Sequence, residues 1–562
     1  MKTRASFIAL VAGIIACPFS IAWGQEFDLV VRGGTVYDGS GGPPMTSDVA
    51  IVGDRIVAVG KVAEGKARRE IDARGKAVSP GFINMLSWAC DSLMVDGRSL
   101  SELRQGVTLE VFGEGESYGP WNAPLKAEMT KRQGDVRYEI TWETLDEYLE
   151  TLRKRGVACN VASFVGAATV RAHVVGFDDR PATAEELERM RALVDQAMRE
   201  GALGVGSSLI YAPGSYASTD ELVALCEVAA KHGGMYISHL RSEGARFLEA
   251  LDELITIARR AKLPAEVYHL KAAGRDNWGK LDEALRKIEA ARAEGPRITA
   301  DIYPYTAGAT GLDAAMPTWV QAGGLDAWIA RLRDPATRAR VVREIAGPGD
   351  TWENLYHAAG SAKNVLLVEF KNDALKPYTG KDLAVVARLR GKSAEETIVD
   401  LVIEDGSRVG TVYFMMDEAN VEKELARPWV SICSDSPSLA PEGVFLKSNP
   451  HPRAYGSFAR VLAHYVRERR VISLAEAVRR MSALPAENLK LKERGRLAPG
   501  FFADVVVFDP DLVRDKATYD RPHQLAEGVD HVIVNGTLAL ENGEPTTARP
   551  GRVVRGPGWK AL

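Results

Sequence analysis

Apolar and polar positions follow one rhythm at the two ends of the chain and another between them. Near the start, Asp28-Leu29-Val30-Val31, Val49-Ala50-Ile51-Val52 and Arg55-Ile56-Val57-Ala58-Val59 are separated by Gly33-Gly34, Gly39-Ser40-Gly41-Gly42 and Gly53-Asp54. Short apolar runs bounded by glycine turns predict strands. The same texture returns in Asp504-Val505-Val506-Val507-Phe508 and His531-Val532-Ile533-Val534. Two β-rich ends around a different middle predict one small β-sandwich domain, built from residues 25–80 and 490–562.

The middle alternates short apolar runs with helical patterns: Asp220 to Lys231 precedes Met235-Tyr236-Ile237-Ser238, and Phe247 to Ala261 precedes Glu266-Val267-Tyr268. Strands alternating with helices imply parallel pairing with the helices outside. Candidate strands fall near 82 to 86, 107 to 112, 159 to 164, 203 to 208, 235 to 239, 266 to 270, 298 to 303 and 429 to 434. Eight such strands close a (β/α)8 barrel, here residues 81–489 of an α/β chain. The gap before the last strand is too long for one crossover, so residues 306–428 are expected to hold an insertion on the active face that shapes a substrate pocket.

Composition narrows the class. The 562 residues are 46% hydrophobic and 26% charged, which excludes a disordered or fibrous chain. Seventy-one Lys+Arg against 75 Asp+Glu, with no run of like sign long enough to suggest a tail, predict no nucleic-acid partner. Lys2 and Arg4 precede an apolar stretch from Ala5 to Ala22 that ends in Ala22-Trp23-Gly24. This predicts a signal peptide over residues 1–24 and an exported, periplasmic or secreted protein with no membrane span. Lipoprotein anchoring at Cys17 is the alternative, disfavoured because few residues separate Cys17 from the first strand. Cys90, Cys159, Cys226 and Cys433 form no CxxC pair and lie mostly in apolar context, which suits buried free thiols; export would also permit disulfides.

Among nine histidines, His239 and His269 sit at the C-terminal ends of neighbouring candidate strands. Those ends converge on a barrel's active face, and two convergent imidazoles make half a zinc site. Asp435, just past the last strand, could take a proton from a metal-activated water; alone it could equally be a turn residue.

At this point the chain resembles the amidohydrolase superfamily and, within it, the D-aminoacylase family of N-acyl-D-amino-acid deacylases. The resemblance runs over nearly the whole chain after the signal peptide. It rests on the stretch from Asp28 to Gly39, Ser79-Pro80-Gly81-Phe82-Ile83, Asp301-Ile302-Tyr303-Pro304-Tyr305, His451-Pro452-Arg453-Ala454-Tyr455-Gly456 and Gly495-Arg496-Leu497-Ala498-Pro499-Gly500, in that order. The superfamily's His-x-His pair for a second metal is replaced by Leu86 and Trp88, and the fourth strand lacks a bridging lysine, so the resemblance implies one zinc ion. Where the family places a cysteine ligand, this chain reads Gly113-Glu114-Gly115-Glu116. The resemblance implies Glu114 as the substitute ligand beside His239 and His269, with Glu116 as the fallback. A carboxylate in place of a thiolate lets Mn2+ or Co2+ compete with Zn2+. Lys271, Tyr303 and Arg453 match the family's substrate contacts, and Arg and Lys suit the free carboxylate of an N-acyl amino acid.

The resemblance implies hydrolysis of N-acyl-D-amino acids to a carboxylic acid and a free D-amino acid, with Asp435 moving the proton. The alternatives are an amidohydrolase cleaving a dipeptide or cyclic amide, a barrel that only binds a ligand, and a serine hydrolase using Gly115-Glu116-Ser117-Tyr118-Gly119. The serine reading lacks an upstream His-Gly-Gly loop and leaves the barrel motifs unexplained. The acyl group, the side chain and the oligomeric state are not fixed by the sequence.

Overall fold

A computed structural model describes residues 26–349 and 351–560, so the expected signal peptide lies outside the described residues. Eight parallel strands appear in the middle of the chain: Phe82–Asn84, Val107–Phe112, Asn160–Ser163, Gly204–Ser208, Met235–His239, Ala265–Val267, Ile298–Ile302 and Val430–Ile432. They are counted below as the first to eighth barrel strands. The fourth to eighth pair in order, with registers such as Ser208↔His239, Val267↔Ala300 and Ile302↔Ile432. The first three form a second ladder. One seam between the ladders is the stretch following the third strand, where Val165 pairs with Val205. The other is a parallel bridge between Ser87 and Ser436, where the Asp435 N–H donates to Leu86 O at 2.9 Å and the Trp88 N–H to Ser436 O at 3.0 Å.

Every residue of Met235–His239 and Ile298–Ile302 is buried, as expected of parallel strands covered on both faces. The helices that cover them carry their own boundary signals. Ala184–Glu200 starts with a Thr183/Glu186 capping box and stops at Gly201 in the left-handed region. Phe247–Ala261 turns Leu251, Leu254, Ile255 and Ala258 inward. Truncating fully packed Leu254 to Ala would cost about 2–5 kcal/mol.

The chain ends meet in one nine-stranded sheet. Val505–Phe508 runs antiparallel to Ala77–Pro80, pairing Val506 with Ser79 and Phe508 with Ala77. Residues from both ends, including Val31, Val49, Ile56, Val505 and Ile533, share one apolar core.

Between the seventh and eighth barrel strands, an antiparallel sheet of Ala307–Gly311, Gly410–Phe414 and Val365–Glu369 packs with helices such as Leu325–Arg333, Pro335–Ile345 and Ala394–Asp405 around its own core. The Met416 N–H donates to Thr306 O at 3.1 Å and closes the base of this lobe. The following helix, Glu418–Leu425, buries Val421 and Leu425 in the barrel core. It is the barrel's own crossover helix, so the lobe ends near residue 416, short of the expected 428. Cys90, Cys159, Cys226 and Cys433 are buried free thiols. No helix among the described residues is long and apolar enough to cross a membrane.

Candidate metal centre and active site

The second barrel strand ends in Gly113-Glu114-Gly115, and both glycines are dictated by crowding. A Cβ on Gly113 (φ +108°) would lie 2.5 Å from Phe164 O, and one on Gly115 (φ +70°) would lie 2.7 Å from Ser208 N. Only glycine tolerates both the backbone angles and the contact. The tight passage aims Glu114 into the barrel mouth, where it is 4% exposed.

His239 and His269 arrive from the fifth strand and from just past the sixth. Glu114 Oε1 lies 3.0 Å from His239 Nδ1 and 3.0 Å from His269 Nε2, and these two nitrogens are themselves 3.0 Å apart. Donors about 2.1 Å from a tetrahedral ion lie about 3.4 Å from one another, so this triangle is close to the size a metal ion requires. The electrostatics agree. Burial, together with the charge on Lys271, pulls the His269 pKa down, yet Glu114 and Glu243 carry it up to about 10. Burial alone would push Glu114 up, but the charge of His269 and hydrogen bonds from both imidazoles hold it well below the usual carboxylate range. The three residues together call for positive charge among them. Glu116 points elsewhere and pairs with Arg132 at 3.4 Å.

The backbone is strained at two of these positions. His269 has φ +35° and Asp435 φ +48°, angles that non-glycine residues adopt at a cost and that cluster at functional sites. Each is held by a buried partner. Asp301 Oδ1 accepts from the His269 N–H at 2.7 Å, and Asn84 Oδ1 accepts from the N–H of Ser434, beside Asp435, at 2.9 Å.

Asp435 stands opposite the histidines. Its Oδ2 lies 2.9 Å from Arg453 Nη1, without the alignment of a hydrogen bond, and the Arg453 guanidinium rests 4.5 Å above the Tyr303 ring. Burial raises the Asp435 pKa; Arg453 opposes that, and the nearby Glu114 charge adds to it. Arg453 Nη2 donates to Ala309 O at 3.1 Å, which ties it to the inserted lobe. His451 steadies this corner: its Nδ1 accepts from the Arg453 N–H, so Nε2 carries the proton given to Ala307 O. The Tyr303 hydroxyl donates to the Met416 sulfur at 3.8 Å. Lys271 is more enclosed than its expected role as a substrate contact suggests: its Nζ donates to Glu243 Oε1 at 2.6 Å and lies 2.7 Å from His269 Nδ1. All seven expected residues line one cavity of about 600 Å³, walled by the barrel mouth and by lobe residues such as Gly308, Thr310, Arg408 and Met415.

Two participants were not anticipated as such. Glu243, 2% exposed, lies 3.2 Å from His269 Nδ1 and 3.7 Å from His239 Nε2 while holding Lys271. The Trp88 indole N–H donates to Glu114 Oε2 at 3.0 Å and to Asp435 Oδ1 at 3.1 Å. The only sequence signal for Glu243 was an acid four residues after His239; for Trp88 it was the place left by the missing histidine. Ser117 offers no nucleophile, because its buried hydroxyl donates to Gly119 O at 2.6 Å and accepts from the Gly166 N–H at 2.9 Å.

Comparisons with known proteins converge on one family. Residues 137–539 match the pattern of the amidohydrolase family. The D-aminoacylase of Alcaligenes xylosoxydans xylosoxydans is 34% identical over 94% of this chain and 98% of its own length. A D-aminoacylase structure, described with a binuclear metal centre showing one-metal activation and second-metal attenuation, is 35% identical, covers 94% of this chain and 100% of that one, and superposes with a TM-score of 0.77. The N-acyl-D-glutamate deacylase of Bordetella bronchiseptica, solved with zinc and a phosphonate mimic of the tetrahedral intermediate, is 30% identical over 94% of this chain and 100% of that one, with a TM-score of 0.79. The chain belongs to the D-aminoacylase family of the amidohydrolases.

Proposed function

We propose that this protein hydrolyses the amide bond of N-acyl-D-amino acids, releasing a carboxylic acid and a free D-amino acid, with one divalent ion, zinc in the first instance, at Glu114, His239 and His269. The observation that carries the reading is the sharing of one cavity by that donor triangle and by the Asp435–Arg453–Tyr303 corner. An ion bound there supplies Lewis acidity toward the amide carbonyl and acidifies the attacking water.

The chain's own residues do the rest. Asp435, with its raised proton affinity, accepts the proton of the attacking water and returns it to the leaving nitrogen. Arg453 Nε and Nη1 make no hydrogen bond, so the guanidinium keeps donors for the substrate's α-carboxylate. Lys271 adds positive charge from the neighbouring wall, and the Tyr303 hydroxyl is free to donate to the oxygen that gains charge. The preference for D substrates is carried over from the relatives. With residues 1–24 acting as an export signal, the substrate is met outside the cytoplasm; fractionation of the tagged protein tests this, and a cytoplasmic location of the full-length chain would overturn it.

The central experiment measures free amine released from matched N-acetyl-D and N-acetyl-L amino acids, with added zinc and with a chelator. Chelator-sensitive release from the D series is expected. No release from either series by metal-loaded protein would overturn the reading.

A further inference from the structure

Trp88 lies at the seam where the first and eighth barrel strands meet, and its side chain joins two carboxylates of the site. Its indole N–H reaches Glu114 Oε2 at 3.0 Å and Asp435 Oδ1 at 3.1 Å. The second oxygen of each carboxylate is turned to other work: Glu114 Oε1 faces both imidazoles, and Asp435 Oδ2 faces Arg453. Two buried carboxylates offering one oxygen each to a single point create the surroundings that a divalent cation seeks. Here that point is filled by a group that can only donate a hydrogen bond and has no lone pair with which to bind metal.

The backbone fixes the point from which the ring projects. The Trp88 N–H donates to Ser436 O, the Asp435 N–H donates to Leu86 O, and Ser87 and Ser436 are bridged.

We propose that Trp88 is a positioning residue that takes the place of a second cation: it ties the metal ligand Glu114 to the proton acceptor Asp435 and limits the centre to one ion. This deepens the proposed function and rests on its assignment of Glu114 as a ligand.

The test counts zinc in the full-length chain after incubation with excess zinc and removal of free metal, by elemental analysis, with no substrate present. Wild type is expected to hold about one equivalent and Trp88→His about two, because an imidazole adds a lone pair between the two carboxylates. Trp88→Phe keeps most of the volume without the N–H; it is expected to hold about one equivalent while kcat falls about tenfold and KM stays nearly unchanged, the loss of one shared hydrogen bond between charged groups. Two equivalents in wild type, or one in a folded Trp88→His, would overturn the proposal, as would a Trp88→Phe enzyme as fast as wild type. If Trp88→His does not fold, the wild-type count and the Trp88→Phe rate still decide. Because the count needs no turnover, a chain that binds one zinc but cleaves no N-acyl amino acid would refute the deacylase reading and leave this one standing.

Discussion

The barrel buries carboxylates at two depths, and the two sets are in opposite states. Deep inside, Glu102 lies against Glu110, and Glu266 against Asp301, all 0% exposed. Three of them have neutral hydrogen-bond partners, Asn84 and Ser434 at Glu102, Ser87 and Ser99 at Glu110, and Thr299, Ser431 and Asn488 at Glu266, while Asp301 lies beside His269, whose charge opposes burial there without overturning it. Burial raises all four, and in each pair one acid raises its partner further. At the mouth, Glu114 and Glu243 are as enclosed, yet both are held below the ordinary carboxylate range because His239, His269 and Lys271 face them. Burial favours the neutral acid; the cations and hydrogen bonds around Glu114 and Glu243 reverse that, whereas at Asp435 Arg453 opposes burial without overturning it. The reversal marks the functional end of the barrel without appeal to any relative.

The sharpest way to break this comparison is to remove the mouth's central charge. Glu114→Gln keeps the shape but removes the anion between the imidazoles, so zinc content and turnover should collapse together, turnover by on the order of 10³-fold; full zinc content by elemental analysis would show that Glu114 is not a ligand. Asp435→Asn should lower kcat by roughly 10²- to 10⁴-fold while leaving the zinc content intact, which separates proton transfer from metal binding. Loss of metal in that variant would place Asp435 among the ligands. Glu243→Gln is a step milder: it loosens the support of His269 and should weaken zinc affinity about 10- to 100-fold, read by competition with a chromophoric chelator. An unchanged affinity would reduce Glu243 to a partner of Lys271 alone.

Much of this was legible in the sequence, and the parts that were not share a cause. The eight barrel strands fall near the short apolar runs of the middle of the chain, because strands covered on both faces are mostly apolar. His239 and His269 were found by their matching places at the ends of consecutive strands. The lobe's end was misjudged because Glu418–Leu425 has the same amphipathic pattern as the lobe helices before it, and only packing shows that Val421 and Leu425 belong to the barrel. Glu243 escaped because its loop folds back over His269, a contact between residues far apart in sequence. Glu266 was read simply as part of a strand; in a parallel sheet an acid carries no sign of which way it points, so the deep carboxylate pairs were invisible until the strands were neighbours.

The smallest effect tests the other half of the comparison, that the deep acids keep protons that Glu114 and Glu243 lack. Burial, and then the charge of Asp301, push Glu266 up to about 8 in the folded chain, while unfolding returns it to the ordinary range near about 4. The folded state therefore binds the extra proton, and the stability it brings is complete below the unfolded value and lost as pH climbs through the folded one. Glu266→Gln places an uncharged group of nearly the same shape beside Thr299, Ser431 and Asn488 and takes that titration away. Thermal unfolding of wild type and variant at pH 5 and pH 8.5 should show the variant gaining on wild type by about 2–4 °C at the higher pH. A gap that stays constant between the two pH values would mean that Glu266 is ionised throughout, and that a buried carboxylate in this barrel can hold its charge without a cation beside it.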